Sequence, residues 1–395
     1  MSNNVDDNKV NITPEVGYLG VLSSINYRPW YAIAEFVDNS VQSYIDNKNA
    51  LKKQHGNNFK LKIDINVTSS TIIIEDNAAG ILKKDFGRAF RAAAPPENRS
   101  GLSEFGMGMK TAACWFASKW EVLTKPLGEP EAKLVKFDIE KIVRDTIEEL
   151  KIIKAPVRKT AHYTKVSLTS IIKKRKPQGQ TVAKIKECLS SMYRLLIEKE
   201  ELIIRYNGEI LKYKHPKILK AYSYRDIELS KKNMKEIFWR KKINFKFGNK
   251  DEYGVKGFVA IREDFSRKYA GLSQFRRDRL MYGMGEETYR PIKISGTPET
   301  RKYARVFGEL RFSPNMPVTH TKDAIAWTLE EEDKFLSKLK NEVDSDDFPL
   351  LRQANKYKVN RLTKDLKIAT NSGHSNAMDT DDLQDTVDIL SEEKN

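Results

Sequence analysis

Three short motifs, in a fixed order near the start of the chain, constrain it more than any other feature. They are Glu35-Phe36-Val37-Asp38-Asn39-Ser40, then Glu75-Asp76-Asn77-Ala78-Ala79-Gly80-Ile81, then Ser103-Glu104-Phe105-Gly106-Met107-Gly108-Met109-Lys110. A carboxylate with an amide four residues on, an Asp leaving a strand, and a Gly-rich turn with a lysine are each weak signals. In this order they describe a nucleotide site. It is not a Walker site, whose loop runs Gly-x4-Gly-Lys-Ser/Thr, nor the Gly-x-Gly-x-x-Gly of a dinucleotide fold.

Each motif falls on a recognisable local structure. The stretch 29–48 reads as a helix with Pro29 in its first turn. Trp30, Ile33, Val37, Val41 and Tyr44 form its core stripe, while Glu35, Asn39 and Gln42 share the opposite side. Residues 59–67 alternate, Ser69-Ser70 turn, and 71–74 are β-branched, which predicts a hairpin with Asp76 at a strand end. A helix is expected from Thr111, directly after the glycines, where backbone N–H groups and the helix dipole favour phosphate. Residues 82–105 hold Arg88, Arg91, Ala92 to Ala94, Pro95-Pro96, Arg99 and Gly101, a composition suited to a lid.

The chemistry follows from residue type. Glu35 can orient and deprotonate a water. Asn39, one helical turn on, offers an amide oxygen to Mg²⁺, a hard cation. Asp76 suits the exocyclic amine of adenine, and Gly80, lacking a Cβ, would let the backbone approach the base. Lys110 would add a point charge for phosphate. Taken singly, the first motif also reads as polar residues on a helix flank and the second as a plain turn.

The pattern changes near residue 175. A basic helix over 181–198 leads to a strand at 202–206, a basic stretch over 212–250, strands at 255–261 and 304–312, and a charged helix over 329–343. The expected division is a disordered N-terminus (1–12), a first domain (13–175), a second domain (176–345), a helical extension (346–370) and an acidic disordered tail (371–395).

The formal charge is +16, but the tail 371–395 holds seven acidic residues against one lysine, a net of −6, so the rest carries +22. So basic a body favours a polyanionic partner, nucleic acid first. The DNA-contact candidates are Arg240, Lys241 and Lys242, and Arg276, Arg277 and Arg279; the alternative for the arginines is pairing with carboxylates or with the lid. No apolar run has the length of a membrane span, and Met1–Lys9 is polar and unlike a signal peptide. Cys114 and Cys188 have no zinc spacing and read as ordinary thiols in a reducing, cytoplasmic setting.

The three motifs together resemble the GHKL ATPase superfamily, which includes DNA gyrase B, a heat-shock chaperone, histidine kinases and MutL, over residues 15–175. The resemblance implies an α+β chain: a Bergerat α/β sandwich, then a ribosomal-type αβ transducer domain. It implies ATP and Mg²⁺ as ligands, Glu35 as catalytic base and Asn39 as metal ligand. It assigns Asp76, Ala78 and Gly80 to the adenine, with Ala78 standing where the family carries a glycine. It assigns Gly106, Met107, Gly108, Met109, Lys110 and Thr111 to the phosphates, behind a lid that includes Arg99. His320-Thr321-Lys322 is similar to the Gln-Thr-Lys loop of gyrase, which makes Lys322 a second catalytic candidate. Phe275 to Leu280 and Val318 to Trp327 resemble the MORC branch in its prokaryotic form.

The resemblance further implies a slow, ATP-dependent homodimeric clamp on double-stranded DNA, in genome silencing or defence against phage. Two other readings stay open: a chaperone-like or regulatory ATPase acting on a protein effector, and the ATPase subunit of a topoisomerase-like complex.

Overall fold

The computed structural model describes residues 15–91, 94, 101–102, 106–229, 231, 233–285, 287–319 and 322–357. The chain opens with α1 (Tyr18–Leu22), α2 (Pro29–Asp46) and α3 (Lys48–His55), then the hairpin β1 (Leu61–Val67) and β2 (Ile72–Asp76). Next come α4 (Lys83–Phe90), α5 (Gly108–Phe116), β3 (Ala117–Lys125), β4 (Glu131–Asp138), α6 (Ile139–Arg144), β5 (Ile152–Pro156) and β6 (Tyr163–Ile171). After α7 (Gln180–Met192) and α8 (Arg194–Glu198), β7 (Leu202–Tyr206) and β8 (Glu209–Ile210) complete an eight-stranded sheet. Its order is β5-β4-β3-β6-β2-β1-β7-β8.

Only one pairing in that sheet is parallel, β1 with β7, in register from Leu61 opposite Leu202 to Ile65 opposite Tyr206. This pairing moves the boundary expected at 175. The helices α7 and α8 and the strand β7 belong to the first unit, because Ile185, Leu189, Met192, Leu202 and Ile204 lie in its core. The fold is mixed α and β, with α2, α5 and α7 packed together and α2 against β1.

A second sheet follows β9 (Lys220–Ala221), α9 (Tyr224–Glu228) and β10 (Ile237–Phe238). It comprises β11 (Arg240–Phe247), β12 (Tyr253–Ile261), the hairpin β13 (Gly271–Arg276) and β14 (Arg279–Tyr282), then, after α10 (Ile292–Ser295), β15 (Val306–Phe312). Its order is β11-β12-β15-β13-β14, with β13 parallel to β15. The helix α11 (Leu329–Val343) covers it and α12 (Leu350–Lys356) follows. Thr328 and Glu331 form a reciprocal capping box at the start of α11, satisfying two backbone donors that the first turn leaves free. Phe335 is fully buried among Phe247, Phe312 and Trp327.

The two units are not joined by a simple linker. Phe275, Leu280 and Met284, from the β13–β14 hairpin and its exit, are buried in the core of the first unit. Polar ties surround that insertion. Arg194 donates to Glu309 at 2.8 Å, Lys199 pairs with Asp278 at 2.9 Å, and Glu287 accepts from Tyr31 at 2.9 Å while pairing with Arg28 at 2.5 Å. No helix among the described residues is long and apolar enough to cross a membrane.

Phe335→Ala removes the ring that meets Phe245, Phe247, Phe312 and Trp327, and is expected to cost about 3–5 kcal/mol. Chemical denaturation followed by tryptophan fluorescence checks this, since Trp327 lies 5.2 Å from the Phe335 ring.

Candidate nucleotide site

The helix α2 is buried along nearly its whole length, which a merely solvated flank would not be. Glu35 is 5% exposed, and its Oε1 accepts from the Tyr27 hydroxyl at 3.2 Å. Burial, and then Glu35 beside it, push the Tyr27 phenol well above its ordinary range, so that hydroxyl stays a donor. A Cβ placed on Gly108 would stand 1.9 Å from Glu35 Oε2, so the first turn of α5 reaches the carboxylate only because residue 108 is glycine. In the same way a Cβ on Gly101 would strike Gln42 Oε1 at 1.9 Å, and the Leu102 amide donates to that oxygen at 2.5 Å. The polar stripe of α2 is therefore the wall against which the glycine segments rest. Asn39, on the same stripe, is half-buried.

The second motif sits at the end of β2. Asp76 accepts from Ser40 Oγ at 2.6 Å, from the Ala78 amide at 2.9 Å and from the Thr164 amide at 3.3 Å. Burial outweighs these three donors, and the carboxyl is pushed up to about 6. Ala78 is fully buried and its φ is not positive, so the methyl group brings no backbone strain. Its carbonyl meets His162 Nδ1 at 2.8 Å, and His162 Nε2 meets His55 Nε2 at 2.5 Å.

Gly80 is also constrained by the fold itself. Its φ is +73°, and a Cβ would lie 2.4 Å from the Lys125 carbonyl oxygen. Glycine is needed there in any case, because the end of β3 presses on the turn. Lys110 differs from expectation. It is buried and its Nζ donates to the Ala89 carbonyl at 2.8 Å, near the end of α4, rather than pointing free into a phosphate turn. Burial, and then the nearby Arg88, bring its pKa down to about 8. Gly106 has φ of +67°, Met107 and Met109 pack partly buried on the core, and the Thr111 amide donates to the Met107 carbonyl at 3.0 Å. Arg99, Ser103 to Phe105, His320 and Thr321 lie outside the described residues.

Lys322 comes from the second unit and enters this site. It is 6% exposed, with Nζ 3.0 Å from Glu35 Oε2 and 3.1 Å from Asp38 Oδ2. Burial opposes its charge, but Glu35 and Asp38 together raise its pKa above the ordinary value. Asp38, which sequence reasoning passed over, is fully buried and accepts at Oδ1 from Tyr193 at 2.7 Å and from Arg279 Nε at 2.7 Å. Burial pushes the Asp38 carboxyl up, yet Arg279, Lys322 and Tyr193 hold it below the usual carboxylate range. The signal was available: Asp38 lies three residues after Glu35 and so faces much the same way.

The DNA candidates separate. Arg279 is 1% exposed and bound to Asp38, so it is withdrawn from that set. Arg276 is buried and donates to the Pro314 carbonyl at 3.1 Å. Arg277 reaches the Pro314 carbonyl at 3.2 Å and also the Gly101 carbonyl beside α2. These arginines follow the intramolecular alternative. Arg240, Lys241 and Lys242 lie on β11, the edge strand, with Lys242 exposed and Arg240 stacked over Phe258 at 4.5 Å.

The structure thus brings a buried glutamate beside a glycine turn and a lysine that reaches both Glu35 and Asp38 of one helix, with an aspartate at the nearby strand end. Residues 27–167 match the family model described as histidine kinase-, DNA gyrase B-, and HSP90-like ATPase. The match supports a GHKL-type ATPase domain in that segment, a class that binds and hydrolyses ATP. No curated protein matches the chain.

The raised Asp76 pKa fixes the sign of a pH effect. Below about 4 the carboxyl is protonated both folded and unfolded, and no cost arises. The folded state holds its proton longer, so stability falls as pH rises through about 6, and the cost is complete above that. Asp76→Asn is therefore expected to gain stability relative to wild type across that window, by at most about 3 kcal/mol. Urea midpoints at pH 4.5 and 7.5 check it.

Proposed function

We propose that this chain is an ATP-driven switch of the prokaryotic MORC type, with Glu35 as base and Lys322 as reporter of the γ-phosphate. The observation that supports this most is the 3.0 Å contact between Lys322 Nζ and Glu35 Oε2, which joins the second unit to the first motif. In this reading Glu35 takes a proton from a water as its oxygen attacks the γ-phosphorus. The bond to the β-phosphate oxygen breaks, and ADP and phosphate leave. Lys322, already lodged between two acids, gains the γ-phosphate as a further acceptor and neutralises charge that grows in the transition state.

Asn39 is the residue that would hold Mg²⁺, whose chemistry is to neutralise the phosphate oxygens. The Asn39 side chain carries an amide oxygen, the hard donor that this ion prefers. No group of three His, Cys, Asp or Glu among the described residues could hold a metal alone, and Mg²⁺ takes its remaining ligands from phosphates and water. Asp76 would receive the adenine amine, held by Ser40 and two backbone amides. Lys110, whose charge burial disfavours, would be steadied by an anion only if its ammonium left the Ala89 carbonyl for the phosphates.

In the same reading, ATP binding drives homodimerisation and the second unit is the transducer. The β11 edge, with Arg240, Lys241 and Lys242, contacts duplex DNA through phosphates, without sequence preference. The basic body of the chain favours a polyanionic partner, nucleic acid first. Silencing or anti-phage defence is the role this mechanism would serve.

ATP turnover with Mg²⁺, measured with and without long duplex DNA at two salt concentrations, tests the reading. Turnover is expected to rise with DNA, to lose that stimulation as salt rises, and to vanish in Glu35→Ala. Lys322→Met is expected to lower kcat by about 10- to 100-fold. Turnover indifferent to DNA would move the assignment to an ATPase acting on a protein partner.

A further inference from the structure

Arg279 is buried at the junction of the units, and the ATP chemistry described above gives it no role. Its Nε donates to Asp38 Oδ1 at 2.7 Å, and its Nη1 donates to the Lys322 carbonyl oxygen at 2.9 Å. One guanidinium thus grips two things: the acid one turn along from Glu35, and the backbone of the lysine whose ammonium touches Glu35. Lysine could not do this, having a single point charge where Arg has a planar fork of donors. Lys322 has φ of +52°, a backbone state that a non-glycine residue keeps only when its surroundings hold it. The Lys322 amide donates to Thr319 at 2.9 Å and its carbonyl accepts from Arg279, so both sides of the residue are pinned.

We propose that Arg279 is a positioning residue for ATP hydrolysis: it fixes Lys322 against Asp38, so that the ammonium stands within reach of both Glu35 and an incoming γ-phosphate. This rests on the ATP-hydrolase reading given above. Asp38 is then the resting acceptor of the Lys322 charge. When phosphate draws the ammonium from Glu35, Asp38 remains its partner, and the base is freed without leaving a buried cation unpaired. Because Arg279 sits on β14, a displacement of Lys322 is felt directly by the hairpin that joins the units.

The test is a double-variant cycle on the full chain, reading kcat and KM for ATP in Arg279→Met, Lys322→Met and the pair, with Arg279→Lys as the milder change. Arg279→Met is expected to lower kcat about tenfold or more with KM changed less than about threefold, and to add little once Lys322 is already Met. Losses that multiply in the double variant would overturn the proposal, as would a rise in KM equal to the fall in kcat. Should Arg279→Met not fold, Arg279→Lys takes its place in the same cycle, where multiplying losses count against the proposal and non-additive losses support it. Titration of the wild type with a fluorescent ATP analogue, alongside turnover in Glu35→Gln, separates the two ideas. Wild type that neither binds nor hydrolyses ATP sinks both, whereas ATP binding with Glu35-dependent turnover leaves the cycle to judge Arg279 alone.

Discussion

A carboxylate with no access to water sits at the centre of this molecule. Burying an ionised Asp costs several kcal/mol unless cations and donors surround it, and Asp38 is surrounded by Tyr193, Arg279 and Lys322. Those three come from the end of the α7 segment, from a strand of the second sheet and from the loop beyond that sheet. The acid therefore dictates the arrangement of elements far apart in sequence. Removing one partner would leave charge uncompensated in a site with no solvent to absorb it. That requirement, more than apolar area, specifies how the second sheet sits on the first.

The apolar contacts provide the strength that the charges direct. Phe275 and Leu280 are fully buried in the first core, and Arg194, itself almost fully buried, lies 4.4 Å from the Phe275 ring while paired with Glu309. The hairpin is thus held on one side by packing and on the other by ion pairs with little exposure. Glu35 inherits that rigidity, because its neighbours Gly108, Tyr27 and Lys322 each belong to a different element. A carboxylate held from three directions has little freedom to change its geometry.

Much of this was legible in the sequence. The α2 stripe, the β1–β2 hairpin, β7 and α11 follow from local periodicity, and the spacing of Glu35, Asp76 and the glycines singles out the candidate site from local sequence alone. What local sequence does not show at Lys110, Arg279 and Gly80 has one physical cause. Lys110 and Arg279 are cations, and cations are read as surface until a buried partner is found; the Ala89 carbonyl and Asp38 lie 21 and 241 residues away. Gly80 was read for a ligand because the strand end that crowds it, at Lys125, is remote in sequence. The boundary near 175 failed for the same reason: the β1–β7 pairing spans Leu61 to Leu202 and leaves no local trace. Alternation and capping are local and visible; non-local pairing is not.

The parallel strand β7 has a consequence for how the chain is made. Synthesis proceeds from the N-terminus, and domains fold as units as they emerge. Here β1 waits for a partner some 140 residues later, and the first core waits longer still, for Phe275, Leu280 and Met284. In a nascent chain, Asp38 therefore gains two of its three partners, Arg279 and Lys322, only once the second sheet has been made.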